Sequence, residues 1–85
     1  MYKLDFSPDG RTSLATLDKK IAQRVLDKLR WLLKNIDNIY LLRLKENLSG
    51  LYKLRVGDWR VIYEVKREQR VVTVHKVGHR SKIYR

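Results

Sequence analysis

The sequence predicts an α+β domain in which one strand and two helices precede a β-meander. Three observations carry that expectation. The first is a pair of alternating runs, Leu51–Val56 and Trp59–Tyr63, joined by Gly57-Asp58, the pattern of a β-hairpin with a two-residue turn. The second is an apolar stripe, Ile21, Ala22, Val25, Leu29, Leu32, Leu33 and Ile36, that recurs at helical spacing over about five turns. The third is the length: 85 residues make one domain, 1–85, with no room for a second.

Taken in order, Met1–Phe6 alternates, with Tyr2, Leu4 and Phe6 on one face, and reads as the first strand. Ser7-Pro8-Asp9 then forms a helix start, with Ser7 as N-cap, Pro8 at the first helical position and an acid in the first turn. A short helix follows to about Leu17, weakened at Gly10 by about 1 kcal/mol relative to alanine. Asp18 is a second N-cap, and the apolar stripe follows it with lysines, arginines, Gln23 and Asp27 on the remaining surface. A basic amphipathic helix also suits a membrane surface. In so short a chain the stripe belongs to the core, because a small sheet needs something to pack against. Trp31 lies off the centre of the stripe, at the edge of the core or on a partner surface.

Asn35–Asn38 ends the helical pattern, and Ile39–Gly50 is a short strand or extended loop closing in a turn over Glu46–Gly50. The two-residue turn pairs Val56 with Trp59, Arg55 with Arg60, Leu54 with Val61 and Lys53 with Ile62. A tight turn at Glu68-Gln69 then pairs Val65 with Val72, Tyr63 with Val74 and Ile62 with His75. In that register Val72 and Val74 face the core, whereas Thr73, His75 and Val77 share the face of Arg55 and Arg60. A slip of one residue would reverse these assignments.

Composition bounds the function. Twenty Lys and Arg against nine Asp and Glu leave a net charge of +11, with a pI near 10.3. Such an excess calls for a polyanionic partner, nucleic acid first and an acidic protein or anionic membrane behind it, with a generally solubilising surface as the alternative. There is no cysteine, so disulfides and thiolate metal sites are excluded, as fits a cytoplasmic protein. The N-terminus lacks an apolar signal region and no apolar run approaches membrane-spanning length, so no membrane partner is expected.

The hairpin sets Arg55 directly opposite Arg60, with Cβ atoms about 5 Å apart, an arrangement that repels and destabilises the sheet. Beyond the turn, Glu64 is the nearby carboxylate that could offset it. A local cost of this kind marks a site, most simply one for a phosphate, which the arginine fork binds through paired hydrogen bonds. Lys53 lies on the same face. The tail brings His75 or His79, Arg80, Lys82 and Tyr84 toward it, and Tyr84 is suited to stack on a base. Two histidines without paired carboxylates make no metal site, and the chain has no glycine-rich phosphate loop and no Ser/His/Asp set. The available tools fit metal-independent RNA cleavage by attack of a 2′-hydroxyl on the adjacent phosphate. Arginine and lysine stabilise the phosphorane, and lysine, histidine or tyrosine moves the protons.

These residues resemble the RelE/ParE toxin superfamily, and within it a RelE-type toxin. The likeness rests on Ser7-Pro8, on the run from Leu48-Ser49-Gly50 through the hairpin to Tyr63, on Val77-Gly78-His79-Arg80 and on Tyr84. It implies a β-α-α-β-β-β fold with an antiparallel sheet against an αα-hairpin. It further implies a ribosome-dependent mRNA endoribonuclease that cleaves in the A site, needs no cofactor and is neutralised by a cognate antitoxin. Carried over residue by residue, it gives Lys53, Arg55, Arg60, Arg80 and Tyr84 catalytic roles: phosphate binding for the arginines, base stacking or 2′-hydroxyl orientation for Tyr84, proton transfer for Lys53. Lys45, His75, His79 and Lys82 surround them as RNA contacts. The chain departs from the pattern in a short hairpin turn, a short spacing from Arg80 to Tyr84 and no C-terminal helix beyond Arg85. A ParE-like toxin acting on DNA gyrase and a non-catalytic basic RNA-binding module are the alternatives.

Overall fold

The structure, a computed structural model, describes residues 1–44 and 50–83. Strand β1 (Lys3–Phe6) is followed by helices α1 (Pro8–Ala15) and α2 (Lys19–Asn35) and a 3-10 turn at Ile36–Asn38. Then come β2 (Leu42–Arg43), β3 (Leu51–Val56), β4 (Trp59–Lys66) and β5 (Val71–His79). The expected turn over Glu46–Gly50 lies, except for Gly50, outside the described residues. The five strands form one sheet in the order β1-β5-β4-β3-β2. The meander is antiparallel as expected, and β1 joins β5 in parallel. No hairpin links those two strands, so nothing in the connection dictates their relative direction.

Both expected caps form. The Ser7 side chain accepts from the Gly10 amide at 3.0 Å, and the Asp18 carboxylate accepts from the Lys20 amide at 3.2 Å. Each satisfies one of the orphan donors of a helix start. The α2 stripe buries Val25, Leu29, Leu32 and, just past its end, Ile36 against Leu54, Val56, Val61, Tyr63, Val72 and Val74. The predicted hairpin register is observed throughout, from Leu51 opposite Glu64 to Val56 opposite Trp59. Gly57 alone carries the turn's positive φ, +60°, the pattern of a type II′ turn.

One expectation is corrected. Val65 pairs with Val72 and Tyr63 with Val74, but Ile62 pairs with Lys76 rather than His75. A β-bulge at this point leaves His75 as the extra residue, and the alternation of faces shifts beyond it. Val77 therefore turns inward, opposite Val61, at 4% exposure. The sequence Val72, Val74, Val77 can place all three valines in the core only if the parity breaks between the second and third.

Helix α1 is built onto that bulge. β1 pairs with β5 only as far as Val74. Beyond it, Ser7 donates its amide to the Val74 carbonyl (2.9 Å) and its hydroxyl to that of His75 (3.4 Å), while Ser13 Oγ accepts from the Val77 amide (3.0 Å). Two serines thus satisfy backbone groups that a longer β1 would otherwise have taken. The approach is so close that a Cβ on Gly10 would collide with the Val74 carbonyl. Gly10 is tolerated in the helix because packing, not propensity, decides this position.

Two predictions follow from the packing. Gly10→Ala should destabilise the chain by about 1–3 kcal/mol in denaturant unfolding, despite alanine's better helix propensity, because the backbone must move to admit the methyl. Burial, reinforced by the neighbouring Tyr52 and opposed by Arg67, pushes the Tyr63 hydroxyl from 10.0 up to about 12. The unfolded chain therefore releases this proton first. The stability that neutral Tyr63 contributes is fully present below pH 10 and is lost as pH rises toward 12. Denaturant midpoints across that window should fall less steeply for Tyr63→Phe than for the parent chain.

Candidate RNA-cleavage face

The hairpin fixes the centre of the site. Arg55 and Arg60 are cross-strand partners, and alternation puts Lys53 and Ile62 beside them on the face turned away from α2. Arg60 Nη1 donates to the carbonyls of Gly57 (2.8 Å) and Trp59 (2.9 Å), which draws the guanidinium toward the turn and away from its cross-strand neighbour. Among the described residues neither Arg55 nor Arg60 has a carboxylate partner. Glu64, the one candidate for offsetting them, lies 2.9 Å from His75 instead. Among the described residues, no carboxylate forms an ion pair with either member of the like-charge pair.

The tail returns to this turn. The Arg80 amide donates to the Asp58 carbonyl at 2.8 Å, and its Nε lies 3.5 Å from the Asp58 carboxylate. Both partners of that ion pair are well exposed, so it orients Arg80 more than it stabilises the fold. Arg55, Arg60 and Arg80 are thus grouped around Gly57-Asp58. The chain then folds back in a tight turn, with the amides of Lys82 and Ile83 both donating to the His79 carbonyl. Ile83 ends buried against Gly78, the cross-strand partner of Arg60, and Ile62 is buried on the same face. This small second core was not read from the sequence, although Gly78 opposite Arg60 leaves the space that a side chain there would fill.

The remaining expected residues divide. His75 stands on this face at the bulge, tied to Glu64, which is four residues along β4 from Arg60 and so about 13 Å away. It is not gathered with the arginines. His79 pairs with Trp59 and meets its indole edge-on at 5.4 Å. It therefore lies on the helix side of the sheet, and its ring is further engaged with Ser81 Oγ at 2.8 Å. The expectation that His79 joins the arginine face is corrected by that register. Lys82 is exposed on the terminal turn. Lys45 and Tyr84 lie outside the described residues. Asp58, which sequence reasoning passed over as a turn residue, is the group that holds Arg80.

Among the described residues no three His, Asp or Glu side chains gather as a metal site requires, and no helix is long and apolar enough to cross a membrane. The arrangement offers fixed positive charge to a phosphate on one side of a packed sheet.

Comparison with characterised protein sequences finds no match. Solved structures do match. The isolated Escherichia coli RelE toxin is 27% identical and superposes with a TM-score of 0.80, over 99% of this chain and 92% of that one. The archaeal RelE–RelB complex of Pyrococcus horikoshii gives 26% identity and a TM-score of 0.68, over 95% and 97%. The Mycobacterium tuberculosis RelBE2 toxin–antitoxin complex, at 24% identity, TM-score 0.79 and coverage of 92% and 96%, shares the fold. A family model described as the ParE toxin of type II toxin-antitoxin system, parDE, matches residues 4–84. With residues 4–84 matched by the family model and the fold shared with RelE at a TM-score of 0.80, the protein belongs to the RelE/ParE superfamily as a RelE-type toxin of a type II toxin–antitoxin system.

Proposed function

We propose that this toxin is an mRNA endoribonuclease that acts in the ribosomal A site without a metal and is held inactive by its cognate antitoxin. The observation that carries the reading is the like-charge Arg55–Arg60 pair, with Arg80 anchored beside it by Asp58. In this reading the 2′-oxygen of one nucleotide attacks the adjacent phosphorus and the bond to the 5′-oxygen breaks, leaving a 2′,3′-cyclic phosphate and a free 5′-hydroxyl. The three arginines hold the non-bridging oxygens as charge builds on the phosphorane, where preorganised donors count most. Lys53, half-buried on the same face, takes part in proton transfer. Tyr84 stacks on a base next to the cut, a role that rests on the sequence alone. A substrate of mRNA and ribosomal RNA suits a net charge of +11 and puts the protein in the cytoplasm.

Translating ribosomes carrying a defined mRNA test the reading. The parent chain should cut in the A site, and Arg60→Ala and Arg80→Ala should each cut about 10²–10³-fold more slowly, the usual loss for one transition-state donor. Equal cutting by both variants overturns the site. The match to a ParE toxin model favours a second reading as a ParE-like toxin, which would poison DNA gyrase through protein contacts. Gyrase-dependent DNA breaks with mRNA left intact would establish it. Binding to ribosomes with neither mRNA cleavage nor gyrase-dependent breaks would leave a basic RNA-binding module.

A further inference from the structure

Of the three arginines grouped at the hairpin turn, Arg80 is the one that no strand carries. Strand β5 ends at His79, and residues 80–83 fold back from it in a tight turn. The bonds that shape this turn converge on His79. Its carbonyl accepts from the amides of Lys82 (2.9 Å) and Ile83 (3.0 Å). Its imidazole Nδ1 accepts from the Ser81 amide at 3.2 Å and meets Ser81 Oγ at 2.8 Å. One residue thus takes three successive amides. An amide can only donate, so Nδ1 carries no proton and the ring is the Nε2–H tautomer. The side chain imitates an Asx-turn, in which an asparagine or aspartate oxygen takes the amide two residues on. The ring is itself held, since it meets the indole of its cross-strand partner Trp59 edge-on at 5.4 Å. From the opposite face Ile83, 4% exposed, closes the turn against Gly78. The turn is pinned on both sides of β5, and Arg80 is its first residue.

We propose that His79 is a positioning residue for RNA cleavage: its imidazole takes the Ser81 amide, sets the tail turn and so holds Arg80 beside Arg55 and Arg60. The inference rests on the reading of this chain as an mRNA endoribonuclease. The Arg80 side chain is exposed and its 3.5 Å ion pair with Asp58 is a loose tether. A guanidinium on so long a stem is placed first by its backbone. The bond from the Arg80 amide to the Asp58 carbonyl, 2.8 Å, fixes one side of that backbone, and the amides gathered on His79 fix the other. The imidazole acts without touching substrate, because it stands on the helix side of the sheet, across from the arginines. Without the acceptor the Ser81 amide turns to water, the turn widens, and Arg80 spends less time where its donors meet the phosphorane oxygens. A displacement of about 1 Å in a group of this kind slows a reaction by up to about 10²-fold.

Two substitutions separate the acceptor from the ring. His79→Phe keeps an aromatic ring against Trp59 and removes the acceptor, whereas His79→Asn gives up the ring and keeps an oxygen for the Ser81 amide. Thermal melts confirm that both fold, and amide hydrogen exchange at Ser81 reads the turn directly. On translating ribosomes His79→Phe should lose about 10–10²-fold in kcat with KM within about twofold of the parent, and His79→Asn should stay within about threefold in both. The Ser81 amide should exchange faster in His79→Phe alone. In an Arg80→Ala background His79→Phe should slow cleavage no further, because the residue works through that arginine. Parent-like kcat in His79→Phe overturns the proposal. An equal loss in both variants also overturns it and makes ring packing the cause. A loss that adds in full to that of Arg80→Ala overturns it too and makes His79 a contact in its own right. The failures are distinguishable: a parent chain that cuts no mRNA removes the reaction and this role with it, whereas a parent and both variants that cut equally well remove His79 alone.

Discussion

The two-residue turn at Gly57-Asp58 is the constraint on which the functional face depends. A loop that short leaves the register of β3 and β4 no freedom, so Arg55 must oppose Arg60 whatever the charges prefer. The molecule answers the repulsion by geometry rather than by neutralisation. Arg60 is drawn to the turn's own carbonyls, and the only carboxylate on that stretch of the sheet is committed to His75. The same turn also anchors the tail through Asp58, so one dipeptide sets the positions of three arginines.

Underneath, the sheet is held by a second device that is purely structural. The bulge at His75 lets Val77 join Val72 and Val74 in the core, but it leaves β5 with backbone groups out of step with any neighbouring strand. Helix α1 takes those groups with Ser7 and Ser13, approaching so closely that only glycine fits at position 10. Cap, bulge and glycine are one arrangement spread over nearly seventy residues of sequence. The N-terminal Ser7-Pro8 signature is therefore as much a sheet feature as a helix start.

Much of this was legible beforehand, for reasons that differ by element. The hairpin register followed from turn length alone, and the α2 core from a 3.6-residue period, both local properties. Arg80 was legible as a residue of the site, but its attachment to Asp58 was not, since nothing local in sequence pairs a turn aspartate with an arginine 22 positions later. The bulge escaped because alternation was extended through it. The clue, Val77 three residues after Val74 rather than two or four, reads as noise unless all three valines are required to be buried. His79 was misplaced by the same error, since the shifted parity carries it to Trp59 and the helix side.

The strand lengths have a consequence of their own. Across the sheet they run four, nine, eight, six and two residues from β1 to β2, a taper that keeps the long ladders inside. The outer strands cover their neighbours only in part: β2 pairs with Tyr52 and Lys53 of β3, and β1 with Val71–Val74 of β5, so among the described strands each rim also carries backbone of the longer strand behind it.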